Sequence, residues 1–101
     1  GEAIDFVIDL RKKSKTFLKV LKFKISKKNG ISVLIPRGCA HGYLTLTKHC
    51  IVIYNVSNFY NKKKSKGIRF NDPALNLNWK IKPKIISEQD KSWPLLKKKK
   101  Y

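Results

Sequence analysis

Polar and apolar residues alternate from the first positions of the chain. Over residues 3–10, Ile4, Phe6 and Ile8 alternate with Asp5, Val7 and Asp9, which predicts a strand. A second strand is predicted over 17–25, with Phe17, Leu21, Phe23 and Ile25 on one face and Lys22 and Lys24 on the other. Arg11 to Ser14 reads as the turn between them, and Lys28-Asn29-Gly30 as the turn that follows. Residues 31–35 predict a short apolar strand stopped by Pro36, and 38–42 a tight loop before strand character resumes at 43–46. The run 50–56, Cys-Ile-Val-Ile-Tyr-Asn-Val, is the most β-prone in the chain and predicts a central strand. Residues 61–66 read as an exposed lysine loop, 67–70 as a short strand, and Asn71-Asp72-Pro73 as the start of a turn that Asp72 holds. From 74 to 86 no period is sustained. Ser87 to Asp90 fits a helix start loosely, and Pro94 ends that turn. Short strands between Gly and Pro turns predict an antiparallel sandwich or barrel, with a small OB-like or SH3-like barrel as the alternative.

Length and composition narrow the picture. The 101 residues allow one domain with a modest core, and 42% hydrophobic residues support folding. No apolar run approaches the roughly 20 residues of a membrane span, and lysines interrupt any signal-peptide pattern. The formal charge is +18, almost all from lysine, since Arg11, Arg37 and Arg69 are the only arginines. Such a field attracts phosphates, nucleic acid or anionic membrane. The scarcity of arginine, whose fork reads bases and grips phosphate, favours a lysine-biased solvated surface. Cys39 and Cys50 have no zinc-site spacing, even beside His41 and His49, and suit reduced thiols of a cytosolic protein as well as a pair. The chain begins with Gly1 and contains no Met, so a processed chain or a piece of a longer one is expected.

The stretch Ile35-Pro36-Arg37-Gly38-Cys39-Ala40-His41-Gly42 has a definite logic. Pro36 ends a strand, Gly38 permits a bend, and His41 is presented as the next strand starts, with room left beside it by Gly42. This P-x-G-x-x-H-G turn resembles the second motif of the cupin superfamily. Around it, in order, stand Asp5-x-x-x-Asp9-Leu-Arg11, Ser14-x-Thr16-Phe17, Tyr54, Asn58-Phe59-Tyr60, Gly67-Ile-Arg-Phe-Asn-Asp-Pro-Ala74, Trp79, Ser87-x-x-Asp90 and Pro94-Leu95-Leu96. In that order and spacing, over essentially the whole chain, the sequence resembles the dTDP-4-dehydrorhamnose 3,5-epimerases.

The resemblance implies an all-β cupin-type jelly roll, here an incomplete barrel with an irregular C-terminal segment and a short helical turn. It implies that residues 1–101 are the C-terminal part of a single epimerase domain. It further implies a cytoplasmic homodimer without metal or organic cofactor, acting on a dTDP-linked 4-keto-6-deoxy sugar in nucleotide-sugar biosynthesis. Carried over by position, Tyr54 matches the catalytic acid and Asp90 the aspartate that orients the histidine base. His41, Asp5 and Tyr60 match residues of the substrate pocket. The residues by themselves also allow plainer roles: Tyr54 as a core-edge tyrosine, Asp90 at a helix start, Asp5 as a strand-face hydrogen-bonding group, and His49 at the surface. What they do establish is that Tyr54 and Asp5 are polar groups in apolar runs, which need partners if buried.

The departures from the family bear on function. The Arg-Gly-Leu-His-x-Gln stretch that carries the family's histidine base does not occur among the 101 residues, nor do the first strands of the barrel. The expectations are therefore an uncovered apolar face and, for these residues alone, no epimerisation. Phe59, Leu34 and Asn55 stand where the family favours tyrosine, tryptophan and lysine, which leaves the sugar open. Two other classes remain: a basic nucleic-acid-binding β module, and a non-catalytic remnant that folds only with a partner.

Overall fold

The computed structural model describes residues 1–57, 63, 65–75, 77, 79 and 83–96. Strands β1 (Glu2–Asp9), β2 (Val20–Ser26) and β3 (Cys39–Thr45) form one antiparallel sheet in the order β2-β1-β3, and helix α1 (Glu88–Ser92) lies near the C-terminus. β1 is central and paired along both edges, and five of its eight residues are buried. Opposed residues in such ladders share a face. Asp5 therefore stands on one face between Phe23 and Tyr43, with Val7 beside it between Leu21 and His41.

The opposite face carries the main apolar core. Phe6 and Ile8 are buried there together with Leu75 of the C-terminal segment in the small core. The indole of Trp79 packs on Phe6 with ring centroids 4.4 Å apart at 51°, an arrangement worth about 0.5–1.5 kcal/mol beyond burial. Trp79 Nε1 donates to Phe70 O at 2.8 Å, so the same side chain fastens the C-terminal segment to β1. Asp72 is 2% exposed, and its carboxylate accepts from Ala74 N at 2.9 Å and Leu96 N at 2.8 Å. It holds the turn, as its place before Pro73 predicts.

The β1–β2 connection is tied by Asp9. Its carboxylate accepts from Arg11 N, Nε and Nη2, Ser14 Oγ and Thr16 Oγ1. Arg11, Ser14 and Thr16 hold the Asp9 carboxyl well below the usual carboxylate range. Within this connection Leu18 takes a φ of +64°, a left-handed conformation.

Several expectations are corrected. Strand β2 begins at Val20, because Phe17 and Leu18 belong to the turn, where Leu18 N donates to Asp9 O. Strand β3 begins at Cys39, so the loop predicted at 38–42 is confined to the bend before it, where Cys39 N donates to Pro36 O. Residues 31–35, 50–56 and 67–70 form no strand. These segments pair with no described strand, although the outer edges of β2 and β3 are also unpaired among the described residues, and strand propensity without a partner makes no sheet. Ile51, Ile53, Tyr54 and Val56 are consequently exposed, as is Leu34. Cys39 and Cys50 are both free thiols. No helix among the described residues is long and apolar enough to cross a membrane.

Candidate functional site

Asp5 and His41 meet on the open face of the sheet. Their strands place them diagonally, because Asp5 opposes Tyr43 while His41 opposes Val7. His41 Nε2 lies 2.5 Å from Asp5 Oδ1. That oxygen is buried, and no described donor other than His41 answers it. An unprotonated nitrogen and an ionised carboxylate would repel at this distance, so the geometry requires one proton on the pair. Burial pushes the Asp5 carboxyl above its ordinary value, and the adjacent His41 works against that rise.

The surroundings are apolar and aromatic. Phe23 and Tyr43 stand on either side of Asp5, and the Tyr43 ring lies 6.3 Å from that of His41. The Asp5 side chain is 5% exposed while that of His41 is 32% exposed, so the histidine presents a proton-bearing ring toward solvent from a buried anchor. Such a pair can hold or donate a proton to a ligand on this face. Gly38, with φ +90°, makes the bend that starts β3; a side chain there would also meet Arg11 Cγ at 2.6 Å.

The other sequence-predicted residues are placed differently. Tyr54 is 73% exposed in the unpaired run 51–56. Asp90 lies in α1 with its side chain exposed; its N–H donates to the cap Ser87 Oγ at 3.1 Å and its carbonyl accepts from Phe70 N at 3.0 Å. Neither makes a contact with the Asp5–His41 pair among the described residues. Tyr60 lies outside the described residues. Phe23 and Tyr43 are neighbours that a reading of motifs alone passes over; the signal for Tyr43 is the period of two that puts it on the face of His41. Among the described residues no three His, Cys, Asp or Glu side chains gather as a metal site.

The family model described as dTDP-4-dehydrorhamnose 3,5-epimerase matches residues 1–98. A dTDP-4-dehydrorhamnose 3,5-epimerase of Methanothermobacter thermautotrophicus is 36% identical over 100 residues, covering 96% of this chain and 54% of its own length. One of Shigella flexneri is 34% identical over 90 residues, covering 89% of this chain and 50% of its own. The Bacillus anthracis enzyme, a crystal structure with TDP and PPi bound, superposes with a TM-score of 0.90 at 38% identity, over 95% of this chain and 55% of that one. The Elizabethkingia anophelis enzyme gives a TM-score of 0.85 at 36% identity, over 100% and 57%. The all-β architecture, with its open sheet and short helical turn, is thus a cupin-like, incomplete jelly roll. The chain spans about half the length of the curated relatives it matches.

Proposed function

The chain belongs to the dTDP-4-dehydrorhamnose 3,5-epimerase family, a family of isomerases, and on that premise we propose that residues 1–101 furnish the C-terminal part of one epimerase domain. The reaction is proton removal and return at C3 and C5 of a dTDP-linked 4-keto-6-deoxy sugar. The 4-keto group acidifies both neighbouring C–H bonds, so a base on one face takes the proton, an enolate forms, and an acid on the other face returns one. In this reading the histidine base comes from outside the 101 residues, Asp90 orients it, and Tyr54 is the acid. Asp5, His41 and Tyr60 bind the substrate, and the working form is a cytoplasmic homodimer.

The observation that supports the reading most is the Asp5–His41 pair. A buried carboxylate whose Oδ1 meets only a histidine among the described residues, on an open aromatic face, is costly for a purely structural sheet and useful for gripping a polar ligand. The test is solvent-deuterium incorporation at C3 and C5 of the 4-keto sugar nucleotide by the full-length native gene product. Incorporation at both carbons is expected, and Tyr54→Phe is expected to lower turnover about 10²–10⁴-fold. Wild-type turnover by Tyr54→Phe would remove Tyr54 from the acid role; no incorporation by the unaltered protein would remove the activity.

A further inference from the structure

We propose that Arg69 and Trp79 are positioning residues that fix Asp90 in relation to β1, the strand that carries Asp5. The proposal rests on the role of Asp90 given above and adds the parts of the chain that make that role possible. Helix α1 has only five residues, and none of them is buried, so its own packing cannot hold Asp90 in place. What holds it is a short series of contacts running back to β1. Phe70 N donates to Asp90 O at 3.0 Å, and Phe70 O accepts from Trp79 Nε1 at 2.8 Å. Both backbone polar groups of Phe70 are thereby used, one toward the helix and one toward Trp79. The Trp79 ring in turn rests on Phe6, next in sequence to Asp5.

Arg69 fastens the other end of the helix. Its Nε donates to Trp93 O at 2.8 Å, and Trp93 is the residue whose N–H caps α1 on Gln89 O. The Trp93 ring packs against Gly67, where a side chain would fall 2.3 Å from the indole. The stretch 67–70 therefore grips α1 at Asp90 and at Trp93 simultaneously, and Trp79 locks that stretch to the strand of Asp5. A short helix held at two points is fixed in direction as well as in distance, which is what a carboxylate that must meet a partner side chain requires.

The experiment uses the full-length protein with five variants assayed for deuterium incorporation and for amide hydrogen exchange. Trp79→Phe keeps a ring on Phe6 and removes the N–H that holds Phe70 O. Arg69→Gln shortens the side chain and removes the guanidinium. Each is expected to lower kcat about tenfold with KM within twofold of wild type, and to speed exchange of the Phe70 amide that is bonded to Asp90. Asp90→Asn combined with Trp79→Phe is expected to be no slower than Asp90→Asn alone, because the strut acts through that carboxylate. Thr16→Ala, which removes a hydrogen bond to Asp9 in the β1–β2 connection away from the strut, is expected to lower Tm with kcat unchanged. If Asp90→Asn is impaired while Trp79→Phe and Arg69→Gln turn over like wild type, the positioning role is overturned and the role of Asp90 stands. If the double variant falls by the product of the single losses, or Thr16→Ala loses kcat as the strut variants do, the effect is general stability and the proposal fails. If Asp90→Asn itself turns over like wild type, the role of Asp90 fails and this inference with it.

Discussion

Asp5 and Asp9 share one face of β1, and their surroundings act on them in opposite senses. Asp9 has five donor contacts, so its folded pKa lies below the unfolded value near 3.8. Its stabilising contribution is present above that value and is lost as pH falls through the folded pKa. Tm should accordingly drop on acidification below about pH 4, and Asp9→Asn should lower Tm at neutral pH while flattening that acid limb; an unchanged limb would show that Asp9 is not its source. Asp5 has the opposite sign. Its pKa is raised by burial, so its contribution is fully present below the ordinary value of 3.8 and is lost as pH rises through the folded pKa. Asp5→Asn should therefore gain stability relative to wild type at neutral and alkaline pH, even though it removes the partner of His41. A loss of Tm at pH 8 would mean that the pair stabilises the fold instead. Leu18 gives a third test. Its φ of +64° suits glycine, so Leu18→Gly should leave stability unchanged or raised, while β-branched Leu18→Val should cost about 1 kcal/mol or more. Equal losses in urea unfolding would show that burial of the leucine, not its backbone, governs the site.

The strands and helix differ in how much of each could be read from the sequence. β1 was legible because Ile4, Phe6 and Ile8 recur with a period of two between the carboxylates Asp5 and Asp9. The Ser87 cap was legible too, since a serine three residues before Asp90 offers its oxygen to that amide, and the bond is there. Ser87→Ala should cost about 1 kcal/mol and loosen α1 first, seen as faster hydrogen exchange at Asp90 with little change in the sheet. Other boundaries were not legible, for reasons of pairing. The run 50–56 has high strand propensity, but propensity measures fit to a neighbour, and this run pairs with no described strand. At Phe17 the alternation continues into a turn whose shape is set by Asp9, a residue eight positions earlier. His41 looked like a loop-end residue, yet it lies inside β3. Its contact with Asp5 depends on a register across β1 and β3 that a single sequence does not fix. The roles of Arg69 and Trp79 were visible only as members of a motif, because their partners, a carbonyl on Trp93 and one on Phe70, are backbone atoms without a sequence signal.

At the scale of the molecule, two features stand out: charge and an open face. Lys12, Lys13, Lys15, Lys19, Lys22, Lys24, Lys27 and Lys28 fall on β2 and its flanking turns with no acidic residue among them, and the chain as a whole carries +18. Lys24 reaches Glu2 at 3.3 Å, an exposed pair of small worth. Self-repulsion should make Tm rise as salt increases from roughly 0.01 M to roughly 0.5 M, as the Debye length shortens; a flat or falling Tm would show that the lysines do not strain the fold. The open face bears Leu21 at 62% and Tyr43 at 47% exposure, with Ile51, Ile53 and Val56 exposed beyond it. Burying such a surface is the natural work of further strands of the same barrel, and the chain accounts for half of its relatives' length. The central claim is that these residues are one part of a domain whose base and remaining strands lie elsewhere in the same polypeptide. The direct test is the intact mass of the protein purified from its native cells, with its N-terminal sequence read. The account predicts a mass about twice 11.7 kDa with a histidine-bearing Arg-Gly-Leu-His-x-Gln stretch ahead of Gly1. A mass of 11.7 kDa beginning at Gly1 would contradict it.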